Sequence, residues 1–236
     1  MNAATVKIWA LHLVANAVVI AGVYEWLTIG DSTALRLVAT ALFGLLLVVF
    51  TVWLHGIVFA HFREPEASVT VAFRSALRRL PLLILVAIVA AGLYWLLEWL
   101  LGKAYNTSVD IASWLTLHLH KAVHPSLILR IFTWKVRIVE WVIVPVLLLP
   151  LAAKTWTARL REWTFWVLCP VLLLLAIYVP WRLMNWVRWH GGLGLEMTSF
   201  IARWLVAWLL FVTAWFAVVA LACGRKLWVR RSVVEK

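Results

Sequence analysis

The sequence predicts an all-α integral membrane protein with about six transmembrane helices and two interfacial amphipathic helices. Of its 236 residues, 65% are hydrophobic and only 14% are charged, and the mean hydropathy is +0.97. Soluble domains are about 45–50% apolar and about 25% charged, so this chain differs from them in both respects. Several apolar runs reach the length of about 20 residues that a helix needs to cross a bilayer, and a helix satisfies its own backbone polar groups in lipid.

The apolar runs predict a single transmembrane helical domain over residues 1–236. The first run is expected to remain as a helix and not to be cleaved as a signal peptide, because it is long enough to span and no convincing cleavage site precedes Tyr24. The predicted spans are 8–29, 34–62, 80–101, 127–153, 163–181 and 199–223.

The basic side chains predict an orientation and a class of partner. The formal net charge is +12, and most of the lysines and arginines lie in short connections or at the ends of apolar runs. In that position they favour anionic lipid headgroups, and we expect no nucleic-acid partner. More of them fall on the side shared by the two termini, so the positive-inside rule predicts cytoplasmic termini, in a bacterial cytoplasmic membrane.

Two connections have the pattern of helices that lie on the membrane surface. Residues 68–79 place an apolar arc on one side, and Arg74 and Arg78 on the other, where they would bind lipid phosphates. Residues 107–122 open with Thr107 and Asp110 at the spacing of a capping box. We therefore predict interfacial helices at about 68–79 and 107–122.

Four of the ten acidic residues directly precede a tryptophan. Three of them, Glu25, Glu98 and Glu140, fall near one membrane face in the six-span arrangement. An ionised carboxylate in apolar surroundings must pair, protonate or reach water. The three glutamates are therefore either a candidate ion or proton site, or edge markers with the carboxylate in water and the indole at the headgroups. The second interpretation is preferred, because each lies close to a helix end.

A polar seam is predicted between the first two spans. His12 and Asn16 are four residues apart on one helix, and Thr51 and His55 are four apart on the next. The connection between the spans is short, so the helices are antiparallel neighbours and the four side chains fall at similar depth. The seam predicts interhelical hydrogen bonds. It also fits ion conduction, or a haem b site in which His12 and His55 supply the axial ligands.

A stripe of arginine and tryptophan begins the fourth span. Its members, Arg130, Trp134, Arg137 and Trp141, are spaced i, i+4, i+7 and i+11. Guanidinium groups can stack on indole rings and still reach phosphate. The stripe therefore predicts a binding site for lipid headgroups or a docking face for a partner.

Metal and thiol chemistry have little support in the sequence. His120 and His124 are four residues apart and could share a metal ion, but zinc normally takes three or four ligands and Asp110 is the only acidic residue nearby. Cys169 and Cys223 lie in apolar runs without a CxxC pattern, so we expect reduced thiols. We therefore expect no bound metal.

These observations favour a non-enzymatic accessory or assembly subunit of a membrane complex, which binds lipid and other membrane subunits. The sequence contains none of the common hydrolase, metalloprotease or phosphate-loop motifs. A small transporter or ion channel is the first alternative, built on the proline-containing fourth and fifth spans and the three glutamates. A b-type haem subunit is the second.

Overall fold

A computed structural model describes residues 3–30, 33–186 and 192–225, and its regular structure there is helical. Six of its continuous helical segments are long and apolar enough to cross a membrane, which confirms the predicted fold class of an all-α membrane protein. In chain order the helices are α1 (Ala3–Thr28), α2 (Ala34–Arg63), α3 (Val69–Leu119), α4 (Pro125–Ile138), a π-helix (Val139–Ile143), α5 (Val144–Ala153), α6 (Trp156–Leu160), α7 (Trp163–Met184) and α8 (Leu193–Ala222).

The hydrophobic core lies at one end of the bundle. This is the end where α1, α3 and α7 begin and where α2, α5 and α8 finish, and its buried side chains include Ile8, Ile57, Ala76, Phe165 and Val219. The opposite end is loosely packed. No residue of α2 before Leu54 is buried, and none of α3 between Leu83 and Ser108.

Helix α3 is a single helix of 51 residues that contains both predicted interfacial segments. At about 1.5 Å per residue it is about 76 Å long, more than twice the bilayer core of about 30 Å. It begins as predicted, because the Ser68 hydroxyl accepts a hydrogen bond from the backbone N–H of Val71. The predicted boundaries at 79 and 107 are corrected: the helix continues through both positions.

The hydroxyl groups near position 107 explain why the helix does not restart there. The Thr107 hydroxyl donates to the carbonyl oxygen of Lys103, and the Ser108 hydroxyl donates to that of Tyr105. Both side chains therefore bond back to the preceding turn, as serine and threonine do inside a helix, and neither acts as an N-cap. The helix ends at Leu119, and the next residue, His120, has a left-handed backbone conformation with φ of 51°.

The far end of α3 and the helix α4 form an antiparallel hairpin. Pro125 is in the first turn of α4, where its missing N–H costs nothing. The small side chains of Ser108 and Ala112 are buried in the hairpin, and so is Ile128 on α4. The segment predicted to lie on the membrane surface is therefore one arm of a helical hairpin.

A π-helical turn joins α4 to α5, so residues 125–153 form one continuous rod. The backbone N–H of Val144 bonds to the carbonyl oxygen of Val139, five residues back. Pro145 follows directly, and its ring would clash with the carbonyl four residues before it in a regular α-helix. The wider turn relieves that clash, and it places Glu140 inside the π-helix.

Candidate functional site

The structure brings His12 and His55 together across α1 and α2, as the polar seam predicted. His12 Nε2 lies 3.3 Å from His55 Nδ1, and the ring centroids are 4.9 Å apart. Asn16 donates its amide N–H groups to His12 Nδ1 at 2.5 Å and to the His12 carbonyl oxygen at 2.7 Å. Thr51 does not join them, because its hydroxyl donates to the carbonyl oxygen of Leu47 in its own helix.

The hydrogen bonds of Asn16 show which atoms donate and which accept along the polar seam. The atom facing the His12 carbonyl must be the amide nitrogen, because a carbonyl oxygen only accepts. The same amide therefore donates to His12 Nδ1, so the proton of a neutral His12 is on Nε2 and is donated to His55 Nδ1. The proton of His55 is then on Nε2, which has no hydrogen-bond partner in the part of the chain that the structure describes.

His55 lines an open cavity of about 300 Å³ between α2, α3, α5, α7 and α8. Its walls are almost entirely apolar, and include Leu83, Ala90, Leu149 and Leu173. Tyr94 and Trp215 add the other polar groups, and the Trp215 indole stands edge-on to His55 with ring centroids 5.2 Å apart. Small-molecule sites are typically apolar clefts with a few polar groups, so this cavity suits an apolar molecule such as a lipid chain.

The haem alternative is not supported by any feature of this pair of histidines. The two imidazole nitrogens are in direct hydrogen-bond contact, so an iron ion with its macrocycle would enter only if α1 and α2 moved apart. Haem ligation by His12 and His55 therefore stays a prediction. An absorption spectrum of protein purified from haem-supplied cells tests it, and a Soret band that disappears in His55→Ala is the result that would support it.

A second polar site lies where α3 meets the rod of residues 125–153. Arg137 Nη1 lies 2.5 Å from a carboxylate oxygen of Glu98 and 2.5 Å from one of Glu140. Glu140, in the π-helix, is buried with its side chain 6% exposed, whereas that of Glu98 is 49% exposed. Glu25 is not part of this site. It is exposed at the end of α1 and forms no ion pair with any described residue.

The tryptophans of the predicted stripe pack against α7 and not against arginines. Trp134 and Trp141 form a cluster with Tyr178 and Trp181, in which every pair of ring centroids is 5.8–6.5 Å apart. The sequence analysis missed Tyr178, although its spacing of three residues from Trp181 puts both rings on one face of α7. Arg137 turns instead to the two glutamates, so the predicted stripe is divided between two sites.

The remaining predicted lipid contacts are exposed. Arg74 and Arg78 lie on the exposed side of the first turns of α3, and Arg130 is exposed on α4. None of the three takes part in an ion pair within residues 3–30, 33–186 and 192–225. Their guanidinium groups are exposed but are not brought to one place, and phosphate binding by them stays a prediction.

Comparison with known protein families, with curated proteins and with solved structures finds no match for this chain.

Proposed function

We propose that this protein is a non-enzymatic subunit of a membrane complex, and that α3 is the helix on which a partner helix docks. The observation that carries the proposal is the exposure of α3 over residues 84–107, where no residue is buried. This stretch includes most of the part long and apolar enough to cross the membrane. Its side chains must contact lipid, a partner, or both.

The composition of this stretch favours a partner helix over lipid alone. Helices in lipid associate through close approach at small residues, and Ala91 and Gly92 are adjacent exposed small residues in the middle of this segment. A Cβ atom added to Gly92 would meet nothing within 4 Å. Glycine costs about 1 kcal/mol relative to alanine inside a helix, and no contact within the described chain requires it here.

Lipid binding is the second part of the proposal. Arg74, Arg78 and Arg130 are exposed near the ends of membrane-spanning segments, where headgroup phosphates lie. The cavity beside His55 has apolar walls that suit an acyl chain. With the cytoplasmic orientation of both termini that the basic residues predict, the packed end of the bundle faces the cytoplasm of a bacterial cell.

Site-specific photocrosslinking in native membranes tests the partner-binding proposal. A photoreactive residue at Ile88 or Leu96 on α3 should give one discrete protein adduct, and the same residue at Leu46 on α2 should give lipid adducts only. All three side chains are exposed, with relative exposures of 62%, 43% and 65%. Gly92→Leu should abolish the protein adduct because it blocks close approach. The proposal fails if α3 and α2 positions give the same products.

A small transporter or channel is the second candidate function. It is supported by the Glu98–Arg137–Glu140 cluster, because π-helical turns occur frequently at functional sites and Glu140 is buried. Purified protein in liposomes should then move a cation or proton, and Glu98→Gln should abolish that movement. Unchanged flux in Glu98→Gln would assign Glu98 to anchoring at the membrane edge.

A further inference from the structure

Three arginines converge at the packed end of the bundle, and we call them the arginine cluster: Arg63, Arg159 and Arg225. Arg63 is the last residue of α2, Arg159 is in α6, and Arg225 follows the end of α8. All three are close enough to Cys223 to act electrostatically on its thiol. Three chain segments that are far apart in sequence therefore place positive charge around one point.

Arg225 is held in place by the end of α2. Its Nε donates to the carbonyl oxygen of Phe62 at 2.8 Å, and its Nη2 donates to that of Arg63 at 3.2 Å. These carbonyl groups are in the last turn of α2, where they have no hydrogen-bond donors within the helix. A cation at this position stabilises the helix end. The hydroxyl of Thr155 also donates to the carbonyl oxygen of Ala222 at 2.7 Å, so the ends of α2, α5 and α8 are fixed to one another.

Arg159 is mostly buried in this junction, with its side chain 17% exposed. Its Nη1 donates to a carboxylate oxygen of Glu162. Its Nη2 lies 2.9 Å from the position that a Cβ atom of residue 224 would occupy. That residue is glycine with φ of +83°, so the guanidinium group can lie against the backbone.

Two guanidinium nitrogens in the cluster lack partners. Arg63 Nη1 and Arg159 Nε are both buried, and neither has a hydrogen-bond partner among residues 3–30, 33–186 and 192–225. A buried donor of a charged group without an acceptor destabilises the fold, because the lost hydration is not replaced by a hydrogen bond. The junction therefore has unused donors as well as excess charge.

The acidic side chains nearby do not balance that charge. Glu162 is the single carboxylate paired with the cluster within the described residues, and it also accepts a hydrogen bond from the Thr164 hydroxyl. Glu64 and Glu66 follow Arg63 in sequence, but neither forms an ion pair with any described residue. Arg159 is therefore paired with a carboxylate, whereas Arg63 and Arg225 have no ion pair with any described residue.

We propose that the arginine cluster binds a phosphate group, either of an anionic phospholipid headgroup or of free phosphate. Guanidinium groups bind phosphate oxygens through paired, charge-assisted hydrogen bonds. The cluster lies at the ends of three membrane-spanning helices, which is the level of lipid headgroups. The proposal deepens the lipid-binding part of the proposed function, gives it a defined site, and is independent of partner docking on α3.

Native mass spectrometry of the purified full-length protein tests the site. Phosphatidylglycerol and phosphatidylcholine with the same acyl chains are titrated separately, and inorganic phosphate is titrated alone and as a competitor. Wild type should bind phosphatidylglycerol at least about tenfold more tightly than phosphatidylcholine. Arg63→Gln and Arg159→Gln should each remove about tenfold of that preference, as expected for loss of one charge-assisted contact.

Arg161→Gln is the matched control, because Arg161 is exposed two residues from Arg159 and has no ion pair in the described part of the chain. It should leave the preference unchanged. If inorganic phosphate displaces the lipid and its own binding needs Arg63 and Arg159, free phosphate is a ligand of the site. If it does not compete, the site takes the headgroup.

Equal preference in Arg63→Gln, Arg159→Gln and Arg161→Gln would overturn the site while leaving lipid binding intact. If the wild-type protein prefers neither lipid and does not bind phosphate, the result overturns both the phosphate site and the proposed binding of anionic lipid. A measurement on unmutated protein covers the case in which the variants fail to fold. Phosphatidylglycerol should protect Arg63 and Arg159, but not Arg161, from an arginine-selective reagent, and equal modification of all three contradicts the proposal.

Discussion

Arg137 is the residue on which the charge balance of the site between α3 and the rod of residues 125–153 depends. One guanidinium nitrogen contacts both Glu98 and Glu140, so its removal leaves two carboxylates without their cation. The cost differs between them. Glu98 reaches solvent or headgroups easily, whereas Glu140 is buried within the π-helix and must be desolvated.

We therefore expect Arg137→Gln to lower the free energy of unfolding by about 1–3 kcal/mol. This is less than the about 3–5 kcal/mol of a fully enclosed pair, because Arg137 is itself 32% exposed. Glu98→Gln should change stability by less than about 1 kcal/mol, as an exposed ion pair does. Steric-trapping or denaturant unfolding in mixed micelles measures both.

Adding Glu140→Gln to Arg137→Gln should recover part of the lost stability, because the buried carboxylate is then neutral. Equal effects of Arg137→Gln and Glu98→Gln would show that burial of Glu140 contributes nothing.

Gly56 sets the distance between α2 and α3 at the packed end. A Cβ atom there would lie 2.7 Å from Leu83 Cδ1 and 3.4 Å from the Cβ of Ala76. Gly56→Val should therefore cost about 1–3 kcal/mol through overpacking. Gly92→Val is the matched control on α3, where the added atoms meet open space and stability should not fall. A thermal unfolding series compares them, and equal loss in both would mean that helix propensity, not contact, decides.

At the scale of the element, α3 is unusual in carrying three sequence patterns in one rod. Residues 68–79 and 107–122 each have an amphipathic pattern, and residues 80–101 have the apolar pattern of a span. Each pattern by itself predicts a separate helix. Neither Pro81 at the first junction nor Gly102 near the second ends the helix, and both lie inside α3.

The continuity of α3 predicts a distance. Spin labels at Leu93 and Ser113, in a background without cysteines, should be about 30 Å apart, because 20 helical residues rise about 1.5 Å each. A helix that turned onto the membrane surface near residue 104 would shorten that distance to about 20 Å. Pulsed electron paramagnetic resonance measures it, and a Leu93–Lys103 pair at about 15 Å is the internal control.

At the scale of the whole molecule, the core is concentrated at one end. The packed end holds the first turns of α1, α3 and α7 and the last turns of α2, α5 and α8. Hydrogen bonds of Thr155 and Arg225 connect the ends of α2, α5 and α8. The other end has exposed apolar faces on α2 and α3. Lipid or partner helices must cover these faces, so we expect the loose end to be the part whose structure responds to a partner.

The six-span arrangement predicts opposite accessibility for two connections. A cysteine introduced at Asn106, in a background without cysteines, should react with an impermeant maleimide in intact cells. One introduced at Thr157 should react only after the membrane is permeabilised. Both side chains are exposed, so access is decided by the membrane and not by burial. Labelling of both from the same side would contradict the arrangement, and reversed labelling would contradict the orientation alone.

The residues of the candidate sites were predictable to different degrees. His12, Asn16 and His55 could be placed together, because a short connection between two helices fixes their register. Glu98 and Glu140 were placed at one depth, but only the contact between α3 and the fourth span selected Arg137 as their shared partner and left out Glu25. The arginine cluster had no signal in the sequence beyond general basicity, because its members are up to 162 residues apart.

The sequence alone determined the membrane environment, the number of spans and the beginning of α3 at Ser68. These follow from apolar length and from local hydrogen-bonding chemistry, which act over a few residues. The tertiary structure decided that α3 runs unbroken through three patterns, that a π-turn forms before Pro145, and that the core lies at one end. Those outcomes depend on which helix faces pack together, and packing joins residues whose distance along the chain carries no local signal.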